Sequence, residues 1–313
     1  MVESSAASLE QADLVLRSQG KTFAWARRFL GARHAERATR LYAFCRHVDD
    51  LADEADDADR ALEALDRVRD QLDGNVQPEP VVRGALEVFD GATPALRAAQ
   101  DLIDGVAGDL GTVRFETERE LLRYCYRVAG TVGVMMCHAL DRREPAAYPH
   151  AIDLGIAMQL TNISRDIHED AGLGRRYVPA SIVGDLAPET ILAPGPGERM
   201  RLAEGRQRLL RLAEQYYGSG ERGLAFLPVR ARAAILIAAE TYRAIGPRAR
   251  ALGQVLDHRA HVPTAGKLAV TARCILGRVP RPDFWSLPGG HESGLHEHLC
   301  AAPSLVPAGG DGG

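Results

Sequence analysis

From residue 9 to residue 276, apolar side chains recur at spacings of three and four within Ala-, Leu-, Arg- and Glu-rich stretches, and alternating β-branched runs are almost absent. That period fits helices with one buried face and does not fit half-buried strands, so an all-α fold is expected. Helices are predicted over roughly 9–31, 35–56, 58–73, 93–107, 117–139, 147–170, 198–217, 229–253 and 264–276. Pro and Gly cluster at "GNVQPEP" and "LAPGPGE", and both stretches read as surface loops inside one domain because composition does not change across them. The expected domain spans 9–285. Residues 1–8 and the Gly/Pro-rich stretch 286–313, which has no periodic apolar face, are expected to be disordered.

Composition narrows the function classes. A formal charge of -4 over 313 residues, with 46% apolar and 26% charged residues, describes an ordinary globular protein and gives no electrostatic reason to expect nucleic acid. The five cysteines lie far apart with no CxxC pair, which suggests neither a disulfide framework nor a zinc site and fits a reducing cytoplasm. "MVESSAASLEQADLVLRS" lacks a basic stretch followed by an apolar one, and the longest apolar runs, such as "AAILIAA", are far too short to span a membrane, so a protein neither exported nor membrane-spanning is expected.

Two acidic stripes carry the chemistry. In "RLYAFCRHVDDLADE", Tyr42, Arg46, Asp49 and Asp53 stand at i, i+4, i+7 and i+11, one face of one helix. A lone Asp pair at this spacing is most often a solvated surface face. A second stripe changes that reading: in "AMQLTNISRDIHEDAGLGRRYVP", Asn162, Asp166 and Asp170 share a face, with Gln159 and Ile163 beside them, on a helix that is otherwise apolar. Unpaired carboxylates in such a setting carry a large desolvation cost, so a cation between the two helices is expected. Carboxylate and amide oxygens without clustered His or Cys suit a hard cation, and Mg²⁺ is the usual choice where phosphates must also be held. The Glu-x-x-His pairs of di-iron bundles do not occur, and His47 and His168 lack the His-Asp adjacency of phosphohydrolases, so the histidines are expected at the surface or behind the ligands.

Between the stripes, "YCYRVAGTVGVMM" sets Tyr124, Val128 and Val132 on one stripe beside Ala129, Gly130 and Gly133. Two glycines inside a helix are costly and imply either close helix packing or a wall thinned for a long apolar ligand. "GSGERG" at 218–223 matches a dinucleotide fingerprint formally, but no strand precedes it, and it reads as a break between two helices.

These motifs together resemble the squalene and phytoene synthases, the head-to-head prenyl synthases of the isoprenoid synthase fold. "LYAFCRHVDDLAD" is similar to that family's first aspartate-rich motif, and "YCYRVAGTVG" and "LGIAMQLTNISRDIHEDAGLGRRYVP" are similar to its two signatures, across residues 20 to about 267. The resemblance implies a helical bundle around a central cavity, with Mg²⁺, or alternatively Mn²⁺, held by Asp49, Asp53, Asn162, Asp166 and Asp170. It further implies diphosphate binding by Lys21, Arg46, Arg165, Arg175 and Arg259, and a reaction chamber lined by Tyr42, Tyr124, Gln159 and Tyr242. Where relatives often carry a Ser or His before "KTF", this chain has Gln19 and Gly20.

The substrate implied is a pair of prenyl diphosphates, joined through a cyclopropyl diphosphate. Small residues at Ala26 and Thr39, if they face the cavity floor, favour a C20 tail, hence geranylgeranyl diphosphate and phytoene without NADPH. A C15 substrate giving squalene, dehydrosqualene or the presqualene intermediate is the alternative, and a non-catalytic assembly or binding factor is a reading of another class. A C30 or C40 hydrocarbon product implies work at the membrane surface without spanning it, although no basic amphipathic helix marks a docking face.

Overall fold

A computed structural model describes residues 21–55 and 57–299. The expected disorder of 1–8, the start of the first helix and residues 300–313 lie outside the described residues. The helices run α1 (Lys21–Arg27), α2 (Ala32–Asp53), α3 (Ala58–Leu72), α4 (Pro80–Phe89), α5 (Thr93–Ala107), α6 (Glu118–Cys125), α7 (Thr131–Ala139), α8 (Tyr148–Gly172), α9 (Ala180–Val183), α10 (Pro188–Leu192), α11 (Pro196–Arg222), α12 (Val229–Arg243), α13 (Ile245–Ala251), α14 (Thr264–Ala272) and α15 (Pro282–Trp285). Among the described residues the only β feature is an isolated bridge between Arg114 and Arg176, so the all-α expectation holds.

The long helix α8 is the axis of the bundle. It packs against α11 along its length and against α7 on the other side, and α5 and α2 close the ring through α7. Backbones meet where α8 crosses the segment before it. A Cβ on Gly133 would lie 2.2 Å from the Ala151 carbonyl oxygen, and one on Gly155 would lie 2.2 Å from that of Ala129. Both explanations of the glycine pattern therefore operate at once, because Gly133 and Gly155 also line the central cleft. A π-helical turn, Tyr126–Gly130, joins α6 to α7. Its extra residue rotates α7 relative to α6, so Tyr124 leaves the stripe expected to unite it with Val128 and Val132.

Several sequence expectations change. Residues 80–89 form a helix although the preceding Pro- and Gly-rich stretch suggests a loop region. Pro80 sits in its first turn, where the missing N–H costs nothing, and Val82, Ala85, Val88 and Phe89 are buried. The predicted helix 229–253 divides at Ala244, three residues before Pro247, which cannot donate to a helical carbonyl. "GSGERG" is not a break: α11 runs through it to Arg222, and Gly220 and Gly223 pack against the backbone and side chain of His150.

The stretch 286–299 is also not free. His291 Nε2 lies 2.9 Å and His296 Nε2 2.7 Å from the two oxygens of the fully buried Asp153, Tyr216 donates to the Leu295 carbonyl, and Leu299 is buried. The two imidazoles on this α8 acid fasten the C-terminal strap across α8 and α11. His138 and His150 are buried as well, so not every histidine sits at the surface.

Candidate active site

A cleft of about 310 Å³ runs between α2, α7, α8, α11 and α12. Its body is apolar, formed by side chains such as Leu41, Val128, Met136, Leu154 and Leu227, with Gly133, Gly155 and Gly220 widening it. Of the residues expected at the chamber, Tyr42, Asp49, Gln159, Asn162 and Tyr242 line it. Phe23 stacks on Tyr42 at 5.5 Å between ring centroids. Burial first, with Tyr242 adding to it, pushes the Tyr42 phenol up to about 12, and burial likewise raises Tyr242. Both are neutral phenols in a low-dielectric wall.

The carboxylates gather at one end of the cleft. Asp49 is pushed up to about 7 by burial, opposed by Arg46 and reinforced by Asp53, Asp50 and Asp109. Asp170 is pushed up to about 8 by burial, then by Asp166 and Glu169. Asp109, which follows α5, is the joint between the stripes. Burial raises it, it acts on both Asp49 and Asp170, and it accepts a 2.7 Å hydrogen bond from Tyr124. A second, polar hollow of about 280 Å³, lined by Asp57, Asp109, Gly174 and Arg175 among others, lies beside this group.

The arginines are placed unevenly. Arg46 pairs with Asp50, one turn on, rather than with the stripe aspartates. Arg165 and Arg259 both hold Asp166, with Arg259 Nε 2.9 Å from one carboxylate oxygen, and Arg259 also meets Glu169 at 3.3 Å. Arg175 reaches toward Asp53 at 3.9 Å. Its neighbour Arg176 is buried and spent on structure, donating to the Phe115 and Val178 carbonyls and pairing with Glu116 and Asp185. Lys21 opens α1, and its side chain lies outside the described residues, as do Gln19 and Gly20.

Some placements differ from expectation. Tyr124 does not line the cleft; it stacks on Tyr177 at 4.9 Å beside Phe115 and orients Asp109. Thr39 and Ala26 do not face the floor. Thr39 is buried against Arg27 and the Ala35 carbonyl, so their size says nothing about tail length. Asp109 and Tyr177 had no assigned role. Tyr177 falls within "GLGRRYVP" at the end of the second signature, whereas Asp109 sits in a short 3-10 turn just beyond α5, past the periodic apolar positions that flag a helix face.

The donor set fits a hard cation. Asn162 Oδ1 is buried without a hydrogen-bond partner among the described residues, and Asp49 and Asp170 are half-buried carboxylates whose burial outweighs nearby positive charge in pushing them up. Oxygen donors of this kind, free of thiolate and imidazole, suit Mg²⁺ or Mn²⁺ rather than zinc.

A helical bundle enclosing an apolar cleft, with an acidic and arginine-rich mouth, defines a class of site for a long apolar chain carrying an anionic head. The squalene/phytoene synthase family model matches residues 16–265. A phytoene synthase of Pseudescherichia vulneris is 37% identical over 279 residues, covering 84% of this chain and 89% of that protein. A 15-cis-phytoene synthase of Pantoea ananas is 35% identical over 290 residues, covering 86% and 94%. Among solved structures, a dehydrosqualene synthase superposes with a TM-score of 0.79 at 27% identity, over 88% of this chain and 97% of that one. A squalene synthase from Alicyclobacillus acidocaldarius shares the fold, with a TM-score of 0.69 at 24% identity over 81% and 96%. The chain belongs to the squalene/phytoene synthase family, and it is a prenyltransferase.

Proposed function

We propose that the enzyme condenses two geranylgeranyl diphosphates head to head into phytoene, through a cyclopropyl diphosphate, in carotenoid biosynthesis. The observation that carries this reading is the junction of the acidic mouth with the apolar cleft at Asp49 and Asn162, which face both. The choice of a C20 substrate rests on the relatives named phytoene synthases, which match most of this chain at 35 to 37% identity.

In this reading Asp49, Asp53, Asn162, Asp166 and Asp170 hold Mg²⁺, with Mn²⁺ as a substitute. Bound there, the ion neutralises charge developing on the departing diphosphate. Arg46, Arg165, Arg175, Arg259 and Lys21 grip the diphosphate oxygens. Arg165 and Arg259 exchange Asp166 for diphosphate as the site fills, so the aspartate's charge is never left bare. Tyr42, Gln159 and Tyr242 border the allylic cation. Their neutral oxygens and ring faces stabilise positive charge without capturing it, and the apolar body of the cleft excludes water that would. Tyr124 acts from behind, holding Asp109. The closing step is loss of a proton, which needs no NADPH. The enzyme works in the cytoplasm, at the membrane surface where its hydrocarbon product partitions.

A C15 reading draws on the dehydrosqualene synthase structure and on the loss of the argument from Thr39 and Ala26. Incubation with geranylgeranyl or farnesyl diphosphate and Mg²⁺, with products identified by mass, separates the two. Phytoene from the C20 substrate is expected, and exclusive turnover of the C15 substrate would overturn the choice. Absence of any turnover with either would overturn the proposed head-to-head reaction.

A further inference from the structure

The described surface carries twelve exposed large apolar side chains, and five of them, Leu268, Ile275, Leu276, Trp285 and Leu287, fall within twenty residues at the end of the fold. Leu276 is 76% and Leu287 89% exposed, which is far beyond the scattered apolar exposure of an ordinary surface. Leu268 and Ala272, one turn apart on α14, are both exposed, and so are Ile275 and Leu276 in the π-helical turn Arg273–Arg278 that continues it. Trp285 joins the same patch, because its indole Nε1 donates to the Val279 carbonyl at the end of that turn.

The opposite face of this segment is anchored. Val270, Cys274 and Phe284 form a small core with Leu224, Leu236 and Ile237, and Leu227 and Ile235 pack against it. Leu224, Leu227 and Ile235 also line the central cleft. Arg232 fastens the arrangement by donating to the carbonyls of Ala225, Leu227 and Phe284. The exposed patch is thus the outer side of a layer whose inner side meets the wall of the cleft.

The charged residues within the segment itself are mostly basic. Lys267, Arg273, Arg278 and Arg281 flank it against a single acid, Asp283, in a chain whose formal charge is -4. Arg273 and Arg278 are partly engaged with Glu240 and Glu221, whereas Arg281 is exposed. Bulk charge gives an anionic surface no attraction for this protein, so any attraction is local to this face.

We propose that residues 268–287 are the membrane-docking face, seated on an anionic bilayer. Leu276, Trp285 and Leu287 enter the acyl boundary, and Arg281 meets lipid headgroups. No helix among the described residues is long and apolar enough to cross a membrane, so attachment is in the plane of the interface. The value of the location rests on the proposed function: a hydrocarbon made in the cleft leaves toward lipid through the wall shared with this layer.

Vesicle co-sedimentation of the full-length protein tests the docking face without substrate. Binding is expected to vesicles of mixed phosphatidylglycerol and phosphatidylethanolamine and to be weaker for phosphatidylcholine alone. Leu276→Ser and Trp285→Ser should each lower partitioning at least about tenfold, because a buried apolar side chain of this size is worth that much or more. Arg281→Glu should lower binding to the anionic vesicles only. Leu192→Ser, at an exposed leucine in a different part of the fold, should bind like the parent. Undiminished binding by the Leu276→Ser/Trp285→Ser double variant overturns the proposal, and so does a parent that dimerises through this face and ignores vesicles. Product formation by the same variants in detergent micelles is read separately. Turnover with lost vesicle binding supports the docking face, while an inactive parent that still binds vesicles counts against the proposed reaction and not against the docking face.

Discussion

Arg175, at the end of the second acidic stripe, stands 3.9 Å from Asp53, the last member of the first. Neither residue lies in the apolar cleft, yet their approach ties together the ends of two helices from distant parts of the chain, with Asp109 between the stripes acting on both.

Asp109 is the residue whose importance the sequence alone does not suggest, and it gives the first prediction. It accepts a hydrogen bond from Tyr124 and acts electrostatically on both Asp49 and Asp170. Asp109→Asn should reduce turnover about 10- to 100-fold and raise the Mg²⁺ concentration needed for half-maximal rate, with thermal unfolding little changed. Steady-state rates across a Mg²⁺ titration check this. Wild-type kinetics would remove Asp109 from the site.

The half-buried carboxylates Asp49 and Asp170 make a pH prediction with a definite sign. Asp49 and Asp170 are raised to about 7 and about 8, above the ordinary unfolded value of 3.8. A carboxyl raised on folding contributes stability fully below its unfolded value, and that contribution is lost as pH rises through its folded value. Their share of the metal-free protein's stability should therefore fall between pH about 4 and about 8, and added Mg²⁺ should stabilise most at the alkaline end. Calorimetry across this range, comparing the parent with Asp170→Asn, reads the effect. A variant with the same pH slope as the parent would refute it.

Gly155 tests the packing of the bundle. Its missing Cβ leaves room for the Ala129 carbonyl, and a methyl there would lie 2.2 Å from that oxygen. Gly155→Ala should cost about 1–3 kcal/mol, since two backbones must separate. Gly172→Ala, where nothing lies within 4 Å, should not share this penalty. Denaturant unfolding of the two variants decides it, and equal midpoints would mean that the close crossing is not needed.

The strap makes a separate prediction. Asp153→Asn removes the charge that His291 and His296 hold, so residues 286–299 should become open to limited proteolysis while the core stays resistant. A strap as protected as in the parent would show that Leu299 and the Tyr216 hydrogen bond suffice.

Legibility from sequence depends on which contacts are local. The acidic stripes, the helical class and the small residues of the wall are written in spacings of three, four and seven, and α2 and α8 present them accordingly. Tyr124 escapes its expected stripe because a π-helical turn shifts register by one residue without a compositional mark. The helix at 80–89 hides between Pro- and Gly-rich punctuation, and Thr39, small enough to suit a cavity floor, is turned from the cavity by Arg27 and its own helix. Asp153 sits in an apolar helix, and its partners lie in a stretch without periodic apolar residues. No local pattern announces a bond between positions so far apart.

Cation binding by the two stripes can be measured directly by Mn²⁺ titration, followed by electron paramagnetic resonance, in the presence of inorganic pyrophosphate. If Asp49 on α2 and Asp170 on α8 serve one shared site, Asp49→Asn and Asp170→Asn should each weaken Mn²⁺ binding at least about tenfold. Wild-type affinity in either variant would contradict a cation held between the two helices.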